Sequence, residues 1–433
     1  MQGGECTPPE GTNAQSARSG QATCGDLKNL GRIVGMAVPA TGAQTSRSVL
    51  RLKRGRDRAW WHPWIFKGDV ADVSDVAAGS AVTVIDGDGR FVGRGFYNPR
   101  PALCCRILTR DDEPLDAGFF RRRVSAAVAR RAGDGGASRL GRLVWSEGDE
   151  LPGFIADRYG DVLVVQCLTL GMAASRDALA RALRAAVGDL AVFSMDEPAA
   201  ARLEGFEAAR GWLDRAGSVS EVVHEGAVAL RVTFGTGHKT GLYLDQRENR
   251  LLAGRLAAGR RVLDVFSYTG GFVCHALRGG AVAAVCLESS PEAIQAARDN
   301  FALNDARERA RIIDGNAFDN LRRLERDGER FGLIVLDPPP FARRRDALDA
   351  AARGYKEVNL RAMRLLAPGG RLLTFSCSHH VSEAAFEEIC REAAADAGVT
   401  LRIAQRLSQS ADHPVLLTVP ETRYLKGLLL EAD

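Results

Sequence analysis

Arg261-Val262-Leu263-Asp264-Val265-Phe266-Ser267-Tyr268-Thr269-Gly270-Gly271-Phe272 is the stretch on which the reading of this chain turns. Its first half is short and mostly apolar, which predicts a strand over Arg261 to Phe266. The second half is a polar turn that ends in two glycines before a helix starts at Phe272. Consecutive glycines let a backbone approach a ligand where a side chain would collide. Outward from this point, after Asp245, the texture repeats. A helix to Leu277 is followed by a strand over Val282 to Leu287, a helix to Leu303, and strands over Arg311 to Ile313, Gly332 to Leu336 and Arg371 to Phe375. Such alternation implies an α/β fold with a mostly parallel sheet covered by helices, and ligands at the carboxyl ends of its strands.

The second strand ends at Glu288, eighteen positions beyond Gly270, where a carboxylate can accept hydrogen bonds from both ribose hydroxyls. The third leads to Asp314-Gly315-Asn316-Ala317-Phe318, which puts the polar Asn316 where an adenine amine would lie. A dinucleotide would bring Gly-x-Gly-x-x-Gly at the first turn, and a triphosphate a P-loop. The former is missing, and Gly235-Thr236-Gly237-His238-Lys239-Thr240 has the wrong glycine spacing for the latter. An adenosine cofactor without phosphate, S-adenosylmethionine, needs neither. A glycine pair alone suits any tight strand-to-helix turn, so the later strand ends carry much of the weight. The fourth strand ends in Asp337-Pro338-Pro339-Pro340-Phe341, where prolines fix φ and remove backbone donors. This makes a rigid loop above the sheet, with Asp337 placed to contact a reacting base.

The fifth strand delivers Phe375-Ser376-Cys377-Ser378 to the same edge. Carbon 5 of a pyrimidine is a poor nucleophile, and its methylation requires covalent attack on carbon 6, which the thiolate of Cys377 can perform. Methylation of an exocyclic amine or ring nitrogen needs no such thiol. The plainer alternative is a small buried hydrophobe. His379 and His380 beside it either assist thiolate formation or serve as turn residues.

The rest of the chain is less regular. Residues 1–46 are rich in Gly, Ser, Thr, Gln and Ala and are expected to be a disordered extension, with Met36 a candidate start. From Arg47 to Lys67 there are seven Lys or Arg against one acid, interleaved with Trp60, Trp61, Trp64 and Phe66. This pattern suits phosphate contacts plus base stacking, or else a solvated basic strand beside an aromatic mini-core. Strands over Ala81 to Ile85 and Arg90 to Tyr97 flank Asp86-Gly87-Asp88-Gly89 as a hairpin, giving a small β-rich module. A helix capped by Asp116 runs toward Ala132. Paired strands around Gly160, a helix near Asp177 to Val187 and a hairpin at Glu225-Gly226 then predict a central α+β unit.

At 433 residues, two or three domains are expected. No unbroken apolar run approaches a membrane span, so no membrane partner is expected. Nine cysteines without a Cys-x-x-Cys pair fit a reduced, cytoplasmic setting and no metal site. The net charge of +4 permits an anionic partner without requiring one.

With these segments laid out, the chain resembles the RlmI-type family of ribosomal RNA cytosine-C5 methyltransferases from about Arg47 onward. Its marks are His62-Pro63-Trp64, Leu151-Pro152-Gly153, His238-Lys239-Thr240-Gly241, Leu244-Asp245-Gln246-Arg247, Phe266 to Phe272, Asp337-Pro338-Pro339, Gly354-Tyr355-Lys356, Thr374 to Ser378, and Ala411-Asp412-His413-Pro414. The resemblance implies a PUA-like domain over 47–127, a central α+β domain over 128–235 and a Rossmann-like methyltransferase domain over 236–433. It implies that Cys377 is the nucleophile, with Asp337 also catalytic. It further implies that Asp264, Phe266, Tyr268, Thr269, Gly270, Glu288, Asn316, Ala317, Asp337, Gln246 and Arg247 hold S-adenosylmethionine. For RNA it implies Arg51, Lys53, Arg54, His62, Trp64 and Lys356, with 23S rRNA as the partner; a homodimer is compatible with it. Asn316 stands where the family often has an acid, and the proline motif lacks a second cysteine. A guanine methyltransferase on a similar fold and a non-catalytic RNA-binding protein are the competing readings.

Overall fold

Turn chemistry builds the first layer. Asp86 Oδ1 accepts hydrogen bonds from the backbone N–H groups of Asp88 (2.9 Å) and Arg90 (2.8 Å), closing the predicted hairpin. The hairpin belongs to a six-stranded sheet made of β1 (Val49–Leu52), β2 (Trp64–Phe66), β3 (Val70–Val73), β4 (Ala81–Ile85), β5 (Phe91–Tyr97) and β6 (Leu103–Thr109). Their order is β2-β6-β5-β4-β1-β3. Alternation along β4 turns Val82 and Val84 inward, against Leu50, Ile65, Val92 and Ile107. The computed structural model describes residues 48–56, 60–131, 139–235, 240–341 and 348–433. The extension expected over 1–46, and His238 and Lys239, lie outside the described residues.

Asp116 caps α1 (Ala117–Arg130) as expected, accepting from the N–H of Phe119 at 2.9 Å. This helix, α2 (Leu170–Ala174) and α3 (Arg176–Val187) cover one face of a five-stranded sheet. That sheet comprises β7 (Leu140–Trp145), β8 (Phe154–Tyr159), β9 (Val162–Cys167), β10 (Ala191–Met195) and β11 (Arg210–Trp212), and α4 (Pro198–Glu204) joins the last two. Tyr159, Val162, Val164 and Phe193 face the other way. They share one continuous core with the hairpin β12 (Ser220–Glu225) and β13 (Val228–Thr233) and with Val262, Leu333 and Phe375 further along the chain.

The remaining elements are α5 (Arg247–Leu256), β14 (Arg261–Val265), α6 (Gly271–Arg278), β15 (Ala283–Glu288), α7 (Pro291–Leu303), β16 (Ala310–Asp314), α8 (Ala317–Arg326), β17 (Phe331–Leu336), α9 (Leu348–Arg364), β18 (Leu366–Ser376), α10 (Glu383–Ala397), β19 (Leu401–Ser408) and β20 (Lys426–Ala432). Side-chain caps start three of the helices: Ser290 on α7, Asn316 on α8 and Ser382 on α10. The sheet runs β16-β15-β14-β17-β18-β20-β19. β14 pairs in parallel with β15 on one side and β17 on the other, which explains why Val262, Leu263 and Val265 are all apolar and buried. The strand order reverses there, and such a reversal leaves a crevice at the carboxyl ends. The antiparallel pair β19 and β20, absent from the sequence reading, extends the sheet beyond β18. No described helix is long and apolar enough to cross a membrane.

A buried ionic cluster ties the hairpin to this last sheet. Arg250 on α5 donates twice to Glu225 (2.7 and 2.6 Å), and His275 on α6 lies 2.9 Å from the same carboxylate. Burial alone would raise the Glu225 carboxyl, but Arg250 and His275 together hold it at about 2. Arg250→Met strands this carboxylate in the core. The expected cost is about 3–5 kcal/mol of unfolding free energy, measured by urea denaturation, and a loss below about 1 kcal/mol would show that the pair is not an anchor.

Candidate active site

The turn after β14 is held in an unusual backbone path. Phe266 (φ 65°), Tyr268 (φ 50°) and Gly270 (φ 74°) all adopt the left-handed region, which side chains other than glycine seldom enter. Hydrogen bonds enforce it. Phe266 and Ser267 both donate to Leu287 O (3.1 Å each), the Ser267 hydroxyl donates to Asp264 O (2.7 Å), and Asn300 holds Thr269 O (2.9 Å). Strain of this kind gathers where a ligand must be met in a fixed geometry. At Gly270 the need for glycine comes from packing: an added Cβ would lie 2.6 Å from Phe301 of α7.

Three carboxylates converge on this turn. Glu288 Oε2 accepts from Tyr268 N (2.7 Å), while Oε1 accepts from Ser289 N (2.8 Å) and Ser290 N (3.0 Å). Asp264 is fully buried, and its Oδ2 has no hydrogen-bond partner among the described residues. Burial pushes its carboxyl up to about 8, with the neighbouring charge of Asp337 adding to the effect. Asp337 follows β17, and its N–H reaches Val265 O at 3.4 Å. Asn316 is exposed and spends its carbonyl oxygen on the N–H groups of Phe318 and Asp319, and Ala317 beside it is buried.

Cys377 leaves the end of β18 half-buried, its Sγ 4.0 Å from Pro338 O in the proline loop. Its successor Ser378 is held from two sides. The Tyr355 hydroxyl lies 2.9 Å from Ser378 Oγ, and Lys426 Nζ donates to Ser378 O at 2.7 Å. The carboxyl edge thus gathers Asp264, Phe266, Tyr268, Thr269, Gly270, Glu288, Asp337 and Cys377. Tyr243, which the sequence reading passed over, packs edge-on against Tyr268 at 5.1 Å. Burial, then the closeness of Tyr268, raises its phenol. Its place two residues ahead of the quoted Asp245-Gln246-Arg247 run was the available signal.

Other expected residues lie elsewhere. Gln246 is buried and accepts from Asn249 at 2.6 Å. Arg247 turns toward the central sheet, 3.4 Å from Leu140 O and 3.6 Å from Asp412. Lys356 faces α10, paired with Glu392 (3.1 Å) and Asp396 (2.9 Å), so it does not join Cys377. The expected RNA contact through the side chain of His62 is not available in this structure. That ring is fully buried between Glu421 (3.1 Å) and the N–H of Trp64 (3.2 Å), because it joins the first sheet to a loop far along the chain. Trp64 is likewise engaged, donating to Glu147 at 2.8 Å. Arg51 and Arg54 are exposed, with Lys53 capping Gly68 O (2.9 Å) on the same stretch, while Trp60 and Trp61 present 43% and 51% of their surface.

A parallel sheet with a reversal in strand order, a strained turn after its first strand and an acid at the end of the second is the frame of an S-adenosylmethionine-dependent methyltransferase. Residues 151–430 match that family, and residues 50–110 match the PUA-like domain. The chain is 39% identical over 391 residues to ribosomal RNA large subunit methyltransferase I of Klebsiella pneumoniae (strain 342), covering 87% of this chain and 96% of that protein. The Shewanella frigidimarina protein of the same name is also 39% identical, over 88% of this chain and 98% of its own length. A Streptococcus mutans structure described as an S-adenosylmethionine-dependent methyltransferase has the same fold, with a TM-score of 0.76 at 17% identity over 88% of this chain and 100% of that one. This chain belongs to the ribosomal RNA large subunit methyltransferase I family, and its cofactor is S-adenosylmethionine.

The raised Asp264 carboxyl gives a signed test. Its folded value near 8 lies above the unfolded value of about 4, so its contribution to stability is full below pH 4 and is lost as pH climbs toward 8. Asp264→Asn removes that loss. Its stability relative to the parent chain should grow by about 2–3 kcal/mol between pH 5.5 and 8 in urea titrations; a difference that does not vary with pH would contradict the assignment.

Proposed function

We propose that this enzyme transfers a methyl group from S-adenosylmethionine to carbon 5 of a cytosine in large-subunit ribosomal RNA, through a covalent adduct with Cys377. The observation that carries the reading is the placement of Cys377 beside the Asp337-Pro338 loop, on the same sheet edge as the strained turn and Glu288. The names of the relatives point to ribosomal RNA of the large subunit, in keeping with a cytoplasmic setting. The basic segment with Arg51, Lys53, Arg54 and the exposed Trp60 and Trp61 suits RNA phosphates and unstacked bases.

The residues present fit the cofactor. Glu288 keeps lone-pair capacity beyond its three backbone donors for a ribose, Tyr268 and Phe266 frame the turn, and the orphaned Asp264 Oδ2 can accept a donor. When bound, S-adenosylmethionine supplies an electrophilic methyl group on a sulfonium. The chain's part begins with the Cys377 sulfur, which adds to carbon 6 of the base and gives carbon 5 enamine character. Asp337 holds the base against the proline loop. After methylation the carbon 5 proton leaves, the ring double bond re-forms and the thiolate is expelled. A guanine nitrogen would give the thiol no work.

Cys377→Ala should lower methyl transfer at least about 1,000-fold while leaving S-adenosylmethionine affinity within about threefold. Nucleoside mass spectrometry of large-subunit RNA from cells carrying only the variant should lack one 5-methylcytidine. A variant that still transfers methyl groups at the parental rate defeats the covalent reading and favours a guanine target.

A further inference from the structure

Lys426 is a cation in a place that needs explaining. It opens β20 in the interior of the sheet, paired with Ser376 of β18 on one side and Ser408 of β19 on the other. Only 7% of its surface is exposed, and lysine is almost never buried without an anionic partner. Among the described residues no carboxylate comes within ion-pair distance of its ammonium. The group it donates to is the carbonyl of Ser378, at 2.7 Å, on the residue that follows Cys377. A neutral carbonyl binds one ammonium proton but does not balance the charge.

The surroundings show where the balance lies. Tyr355 of α9, Tyr243 ahead of α5 and Tyr424 ahead of β20 all face Cys377, and burial raises their phenols, so they stay neutral. Burial, then Lys426 and His380, lower the His379 imidazole, with Glu421 acting weakly the other way. Burial lowers Lys426 itself, while Cys377 and, less strongly, Glu383 at the start of α10 favour its charged form. Asp337 immediately precedes Pro338, whose carbonyl lies 4.0 Å from the sulfur, and a carboxylate in that place disfavours a thiolate. A cation beside the sulfur favours the thiolate over the thiol.

We propose that Lys426 is a positioning residue for Cys377: its ammonium, anchored on Ser378 O, fixes the turn that carries the sulfur and stabilises the thiolate. Only the S–H bond breaks, and the proton passes to solvent. The inference deepens the nucleophile reading and rests on it for its catalytic meaning, but the thiolate can be measured without substrate.

The test is the pH dependence of iodoacetamide labelling at Cys377 in the full-length protein, followed by mass spectrometry of the peptide that contains it. The labelling midpoint of the native chain is expected about one unit or more below that of the same cysteine in urea. Lys426→Met should raise it by about one unit, slowing labelling roughly tenfold at neutral pH, and Lys426→Arg should restore part of the shift. The acid limb of kcat/KM should move in the same direction. A native midpoint at or above the denatured value overturns the proposal even if the Met variant does not fold; so does an unmoved midpoint in a folded variant. If the midpoint shifts and Cys377→Ala still transfers methyl groups, the coupling stands and the nucleophile reading falls. If Cys377→Ala is inactive and the midpoint is unmoved, the reverse holds.

Discussion

The hydrogen bonding of β14 on both edges, to β15 and to β17, is the constraint from which the site follows. A strand fixed on both sides ends at a defined point, and the backbone beyond it has nowhere relaxed to go. The chain escapes through three left-handed residues within five positions, Phe266 to Gly270. Two donors from that escape converge on Leu287 O, and a third reaches Glu288. The second strand therefore shapes the turn and also supplies its acid. Each left-handed non-glycine residue costs about 1–3 kcal/mol, an expense that persists only in a rigid frame.

Electrostatics at this edge follow from the same frame. Asp264 points into the core beneath the turn, and Asp337 ends the neighbouring strand, so parallel pairing brings two acids together where water is scarce. One of them yields: burial and repulsion leave Asp264 largely protonated near neutral pH, turning it from an anion into a neutral carboxyl that can both donate and accept. Arg250 feels Asp337 as well as Glu225, which links the charge of the active edge to the ionic anchor of the β12–β13 hairpin. Glu288 and Asp337 place carboxyl groups at this edge, which suits a cationic methyl donor.

How much of this was legible before coordinates depended on how local each feature is. The parallel strands, the hairpin at Asp86, the Asp116 cap and the acid at Glu288 were all readable because each is written within a few residues. The pairing of β20 between β18 and β19 was not, since β18 and β20 partners lie from 50 (Ser376 with Lys426) to 60 (Arg371 with Glu431) residues apart and leave no period in the chain. Lys426 went unseen for that reason. His62 and Lys356 show the opposite failure: a polar residue in a motif reads as available, yet His62 is spent on Glu421 and Lys356 on two acids of α10. The glycine pair was read as room for a ligand, whereas at Gly270 the room is taken by Phe301.

The His62 contact also changes how the first sheet relates to the chemistry. Glu421, its partner, lies on the segment that runs on through Tyr424 to Lys426. Tyr424 donates to Asp245 at 2.6 Å and packs at a tilt against Trp145 of the central sheet, ring centroids 5.3 Å apart. Arg142, which lies over that Trp145 ring, is itself locked onto Asp157 by two 2.8 Å hydrogen bonds. The segment from Glu421 to Lys426 thus touches the first sheet at His62, the central sheet at Trp145 and the turn after Cys377 at Ser378 O. Close-packed interiors transmit displacement rather than absorb it. Residues 421–426 therefore brace the first sheet at His62 and the turn beside Cys377 at Ser378 O, so the first sheet and the end of β18 share one support.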